Sequence, residues 1–277
     1  MKDTEFKALI SLLEDDDPNI GDHIEQKLVS MGDQIIPRLE KAWEEENNQI
    51  IQTRIEDIIQ VIQSKNIIDE LIEWKNSDES FLKAWFLVTQ YNYPSLDYIE
   101  YKHAINRIVH LTFLETRDHM NIAEKLRLVS RMLFERERFK GDEKNLYSPK
   151  RYFLNDILEK KLGSPISLSL LYMIICQELS LNVQGIVLPG YFVLTVPGAG
   201  DNLYIDAFNK GALFTKKDLT RYLKDLKTQE NTNFYEPSPR EKILKELIKN
   251  IIICYRKQKN QEKTLQWENL LRQIERA

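Results

Sequence analysis

Apolar positions in the first 66 residues recur with the spacing of amphipathic helices. Phe6, Leu9, Ile10 and Leu13 make one stripe, and "DDDPN" then breaks the chain. Ile20, Ile24 and Leu28 make a second stripe, which stops near Gly32. Ile35, Ile36, Leu39 and Trp43 make a third, and Ile51, Ile55, Ile58, Ile59 and Ile62 a fourth. Short and long helices alternating about every 30 residues are the mark of a helical repeat. Residues 1–66 are therefore predicted to be HEAT-like helical repeats.

The helical pattern continues from residue 67 to 140 through "SFLKAWFLVTQYNYPSLD", "DYIEYKHAINRIVHLTFLE" and "NIAEKLRLVSRMLFERERF". "KGDEKNLYSPK" reads as a loop by its Gly, Asp, Asn, Ser and Pro content. A buried helix is predicted over 165–179. The period then changes. "NVQGIVL", "YFVLTV" and "LYIDAF" are short runs rich in β-branched and aromatic residues, separated by Pro189-Gly190 and by "VPGAGDN". "GALFTKKDL" adds a strand and starts a helix capped by Thr215. From 236 to 277 two further helices form a tetratricopeptide-type hairpin: Ile243, Leu244, Leu247, Ile248, Ile251 and Ile252 mark the first, and Leu265, Trp267, Leu270, Leu271 and Ile274 the second. One hairpin cannot bury its own face, so it is expected to pack on the core. The fold class is α+β, mostly α, with helical repeats flanking residues 67–235, which comprise a helical lead-in and then a core that carries a small antiparallel sheet.

Composition narrows the function classes. The chain of 277 residues is 42% apolar and 30% charged, with a net charge of −4. It has no long basic run, which argues against a nucleic-acid or anionic-membrane partner. Its longest apolar runs, such as "SLLYMIIC", fall short of the ~20 residues a membrane span needs. The acidic start of the chain does not read as a secretory signal. Cys176 and Cys254 lie far apart within apolar helical patterns, which predicts a reducing compartment, the cytoplasm.

The candidate chemistry centres on "KKLGSPISLSLLY", residues 160–172. Ser164 and Pro165 read as the cap and first residue of a helix. Ser167 falls in the first turn, beside unpaired N–H groups and the positive end of the helix dipole, where a nucleophile can sit. The bland alternative for Ser167 is a first-turn hydrogen bond. Ser169 lies on another face and reads as structural. Cys176, amid Met173, Ile174, Ile175 and Leu179, reads as a small buried apolar residue. His103 and His110, seven apart, lack a third ligand and predict no metal site. The acidic runs "EDDD" and "EEEN" sit at helix ends without the alternation of a calcium loop.

The stretch containing "LNDILEKKLGSPISLSLLY", "LPGYF" and "YIDAFN" resembles the transglutaminase-like superfamily. Within it the resemblance is to the bacterial branch named for an invasion-gene regulator (Sir-B type), in which a helical part precedes the core and tetratricopeptide-type helices follow. Catalytic members place a cysteine at the start of the core helix, a histidine on the next strand and an aspartate on the one after. Carried over, these places fall at or near Ser167, at Tyr191 and at Asp206. The branch itself commonly has a hydroxyl residue at the first place and a histidine at the second, so Tyr191 departs even from the branch. Asn155, Ser164, Gly190 and Asn209 are the accompanying candidate binding positions. No cofactor is implied.

The departures bear on the chemistry. All four histidines, at 23, 103, 110 and 119, precede the core. A serine needs a nearby base. Tyrosine titrates near about 10 and is a poor base at neutral pH, and loss of general-base catalysis alone costs ~10²–10⁴ in rate. The expected function is thus non-catalytic: a cytoplasmic interaction or regulatory module that binds a peptide or protein through a degenerate cleft and flanking helices. The alternative is a slow acyl-transferase or hydrolase using Ser167. Tyr191 is either a packed aromatic with its hydroxyl tied to a partner or part of a ligand pocket. Asp206 either orients Tyr191 or caps nearby backbone. Asn155 and Asp156 are expected to cap a helix, with the pocket as the alternative for Asn155.

Overall fold

The computed structural model describes residues 2–15, 17–197, 203–225 and 234–277. Two compact units divide the chain: Met1–Glu70 with Tyr91–Pro94, and Leu71–Gln90 with Ser95–Ala277.

In the first unit the predicted stripes fold as helices α1 (Asp3–Ser11), α2 (Pro18–Ser30), α3 (Ile36–Glu45) and α4 (Gln49–Lys75). The Asp17 carboxylate caps α2 by accepting from the Asn19 N–H at 3.0 Å. Leu13, Leu28, Leu39, Ile55, Ile58 and Ile62 share one core. Ile20 and Trp43, read from the sequence as stripe members, stand partly exposed. The Trp43 indole N–H has a polar partner there, donating to Glu56 Oε1 at 2.8 Å. The fourth stripe lies in α4, which continues to Lys75, since no Gly or Pro interrupts it. Its residues from Leu71 onward belong to the second unit.

The second unit starts with α5 (Phe81–Gln90), α6 (Tyr98–Glu115) and α7 (Ile122–Ser130). An Asn121–Glu124 capping box opens α7, which runs directly into a π-helical turn, Arg131–Arg136. Two two-residue strands, β1 (Lys140–Gly141) and β2 (Leu162–Gly163), pair in parallel. Between them α8 (Leu154–Lys160) ends on Lys161 in the left-handed conformation, φ 58°. Helix α9 (Pro165–Glu178) buries every residue from Ile166 to Cys176, as a helix apolar all round must.

Four antiparallel strands follow in sequence order: β3 (Gln184–Leu188), β4 (Tyr191–Val196), β5 (Leu203–Asp206) and β6 (Ala212–Thr215). The turn expected at "VPGAGDN" lies for the most part outside the described residues. Leu188 pairs with Tyr191, so Pro189 and Gly190 are the whole connection. Gly190 has φ 71° in open space, as position i+2 of a type II turn requires. Helix α10 (Lys216–Asp225) starts at Thr215, whose N–H and hydroxyl both reach Asp218 Oδ2.

Side chains alternate across this sheet. Ile186, Leu188, Val193 and Tyr204 face one side and pack with Leu219 and Leu223 of α10. Among the described residues that cluster holds none from α9. Helix α9 packs on β3 and β4 from the other side, where Phe192, Leu194 and Ile205 point. Helices α11 (Arg240–Lys257) and α12 (Gln261–Arg276) pair with each other, and α11 also lies on α5 and β3. The Trp267 ring sits between Phe153 and Tyr255, at centroid distances of 5.7 and 6.5 Å. Leu265, read as part of the α12 stripe, is exposed.

Candidate functional site

The start of α9 is a closed hydrogen-bonded knot. Ser164 caps the helix, accepting from the Ser167 N–H at 3.3 Å, while the Ser164 N–H donates to Ser167 Oγ at 2.8 Å. The Ser167 hydroxyl donates to the Arg151 carbonyl at 2.7 Å. That carbonyl also accepts from the Ser164 N–H at 3.2 Å. Both serine side chains are fully buried. Arg151 is fixed in turn: its Nε–H donates to Asp142 Oδ2 at 2.6 Å, and the Asp142 N–H reaches the Gly163 carbonyl at 3.1 Å. Burial alone would raise the Asp142 carboxyl, but the hydrogen bonds from Arg151 and Asn145 outweigh it and hold its pKa below the ordinary aspartate value.

A second cluster forms where β4 begins and β5 ends. Asp206 lies beside Tyr191 on the α10 face of the sheet, and the Tyr191 hydroxyl meets both carboxylate oxygens at 3.1 Å. The Asn209 backbone N–H donates to Asp206 Oδ1 at 3.1 Å, and its side-chain amide to Oδ2 at 2.6 Å. The same amide lies 3.5 Å from the Tyr191 oxygen. Asp206 thus does both things the sequence left open: it holds Tyr191, and it caps the turn that follows. Tyr222 on α10 completes the cluster, its ring 5.9 Å from that of Tyr191. Burial first, then the Asp206 charge and hydrogen bond, push the Tyr191 phenol well above its ordinary range. Its hydroxyl is the donor in the contact with Asp206.

Of the carried-over positions, then, Tyr191, Asp206 and Asn209 come together. Ser167 bonds within its own knot at the start of α9, the helix that packs on the opposite face of the sheet. The two regions are joined through the chain after β5, where the Phe208 ring fills the space a side chain at Gly141 would need. Gly141 pairs with Gly163, next to Ser164.

Asn155 does not cap a helix, as the sequence suggested. Phe153 holds the N-cap position of α8, and Asn155 Oδ1 is buried without a hydrogen-bond partner among the described residues. Ser169 Oγ is in the same state. Burial raises the thiol pKa of Cys176 well above normal and pushes that of Cys254 up to about 12. Among the described residues no three His, Cys, Asp or Glu side chains are grouped to hold a metal, and no helix is long and apolar enough to cross a membrane. Sequence reasoning missed Tyr222 and Arg151. "KKDLTRYL" marks an amphipathic helix, which could have pointed to Tyr222; nothing in the sequence signals that the Arg151 carbonyl receives Ser167.

A central buried helix feeding an antiparallel sheet, with an aspartate held at the end of its third strand, defines a transglutaminase-like core. Residues 99–249 match the model of the transglutaminase-like superfamily, and the chain belongs to that superfamily. It is similar to the UPF0162 protein of Xylella fastidiosa (strain Temecula1), 25% identical over 194 residues, which are 66% of this chain and 69% of that protein. A UPF0162 protein of Vibrio cholerae is 26% identical over 94 residues, covering 34% of each chain. Human F-box only protein 21 is 33% identical over 95 residues, 31% of this chain and 15% of that protein. No solved structure matches the chain.

Proposed function

We propose that this transglutaminase-like protein binds a peptide or protein segment at the Tyr191–Asp206–Asn209 cluster and performs no acyl-transfer chemistry there. One observation carries the reading: the residue where catalytic relatives need a base is a phenol whose O–H donates a hydrogen bond to Asp206. Ser167 supports it, since its buried hydroxyl already donates to a backbone carbonyl. A carboxylate flanked by two phenols and an amide can still hydrogen-bond a ligand's N–H groups or accept a cationic side chain. We further read the protein as a regulatory module of a reducing, cytoplasmic compartment, where two separate buried thiols remain unpaired.

Capture from a cell lysate tests the proposal. Wild-type chain, Tyr191→Ala and Asp206→Ala are immobilised and the retained proteins identified. The expected result is a partner held by wild type and lost from both variants while their folding, checked by circular dichroism, is kept. The same partners on all three would overturn recognition through this cluster.

A further inference from the structure

The two edges of the four-stranded sheet are treated differently. On β3 the Ser238 N–H donates to the Gly185 carbonyl at 2.8 Å, and the Val187 N–H donates to Ser238 Oγ at 3.1 Å, so that edge is covered. On β6 the Ala212 N–H turns back to the Asn209 carbonyl at 3.2 Å and the Thr215 N–H to Asp218 Oδ2 at 3.0 Å, while no further strand pairs with its outer side, so that among the described residues the edge is open at Leu213 and Phe214. A row of unpaired N–H and C=O groups is a template for one more strand.

A groove of about 450 Å³ runs beside that open edge. Leu213 and Phe134 supply apolar lining, and Arg127, Arg131 and Lys210 supply cations. Glu135 is the one carboxylate among the described lining residues. Arg131 is already engaged with Glu115 at 3.1 Å, an acid it shares with Arg136. Arg127 and Lys210 have no carboxylate partner among the described residues. The groove walls are held in place. Lys210 takes the left-handed conformation (φ 59°) and Gly211 follows at φ 73°. A side chain on Gly211 would collide with Ser130 Oγ, which itself contacts the Gly211 carbonyl and the Tyr172 hydroxyl. The opposite wall is the π-helical turn Arg131–Arg136, a deviation that recurs at functional sites.

We propose that the open edge of β6 takes an extended acidic peptide segment of a protein partner as a fifth strand. Main-chain pairing supplies affinity, and alternate acidic side chains meet Arg127 and Lys210. The class of partner rests on the binding reading above; the location does not depend on the Tyr191 cluster.

Fluorescence anisotropy of the full chain tests this with a fluorescein-labelled decapeptide alternating glutamate and valine. Two further copies carry N-methyl groups on the odd or the even backbone amides, and a third replaces glutamate with lysine. Expected are saturable binding of the glutamate peptide and a loss of at least about tenfold in one of the two methylated copies. A similar loss is expected in Arg127→Glu/Lys210→Glu, with Arg127→Gln giving a smaller one, while the lysine peptide does not bind. Absence of saturable binding, or binding indifferent to methylation or to charge reversal, would overturn the proposal. So would a dimer in solution that forms through this edge and is blocked by Leu213→Pro. If the peptide fails while lysate capture still depends on Tyr191, the edge assignment falls and the cluster reading stands.

Discussion

Ser164 and Ser167 satisfy each other and the first turn of α9, so their hydroxyls act as structural groups. Ser164→Ala is expected to cost about 1 kcal/mol, seen as a lower urea midpoint. A cysteine placed at 167 would inherit a buried site without a base. Ser167→Cys is therefore predicted to resist iodoacetamide at pH 7 when folded and to react fully in denaturant; fast alkylation of the folded variant would show the knot to be open. Asp142 makes a pH prediction. Its pKa is depressed in the fold by Arg151 and Asn145 despite burial. A depressed carboxyl contributes stability above its unfolded pKa of about 4, and that contribution is lost as pH falls through the lower folded value. Urea unfolding should show wild type losing stability on acidification below about pH 5, and Asp142→Asn should show a shallower loss. At pH 7 the variant leaves Arg151 without its carboxylate and is expected to be weaker by about 3 kcal/mol.

Elements were read well where composition alone fixes them. The largely apolar run of α9 behind Ser164-Pro165 and the short β-branched runs around Pro189-Gly190 sufficed for the buried helix and the hairpin. What the sequence hid depends on longer-range geometry. Strand parity sends Tyr191 toward α10 and away from α9, which no single-strand pattern reveals. The π-helical turn after Ser130 continues a helical period without a local signal. The exposure of Ile20, Trp43 and Leu265 reflects where each helix meets its neighbours. Backbone-dictated positions should respond to substitution according to their surroundings. Gly190→Ala carries only the strain of positive φ, about 1 kcal/mol. Gly211→Ala adds the collision with Ser130 and should be the more damaging, which thermal unfolding of the two variants would compare.

For the molecule as a whole, the superfamily core was legible because "GSPISLSLLY", "LPGYF" and "YIDAFN" occur in order, and the match over residues 99–249 bears out the superfamily. The absence of histidine after residue 119 was equally plain from the sequence. The side-chain pairing was not: Tyr191 and Asp206 join in a hydrogen-bonded cluster, and Ser167 bonds into the cap of α9. On the function proposed above, this core carries out no nucleophilic chemistry. Intact mass spectrometry after incubation with a fluorophosphonate tests it directly on wild type and Ser167→Ala. No added mass is expected on either protein. An adduct on wild type that is absent from Ser167→Ala would contradict it.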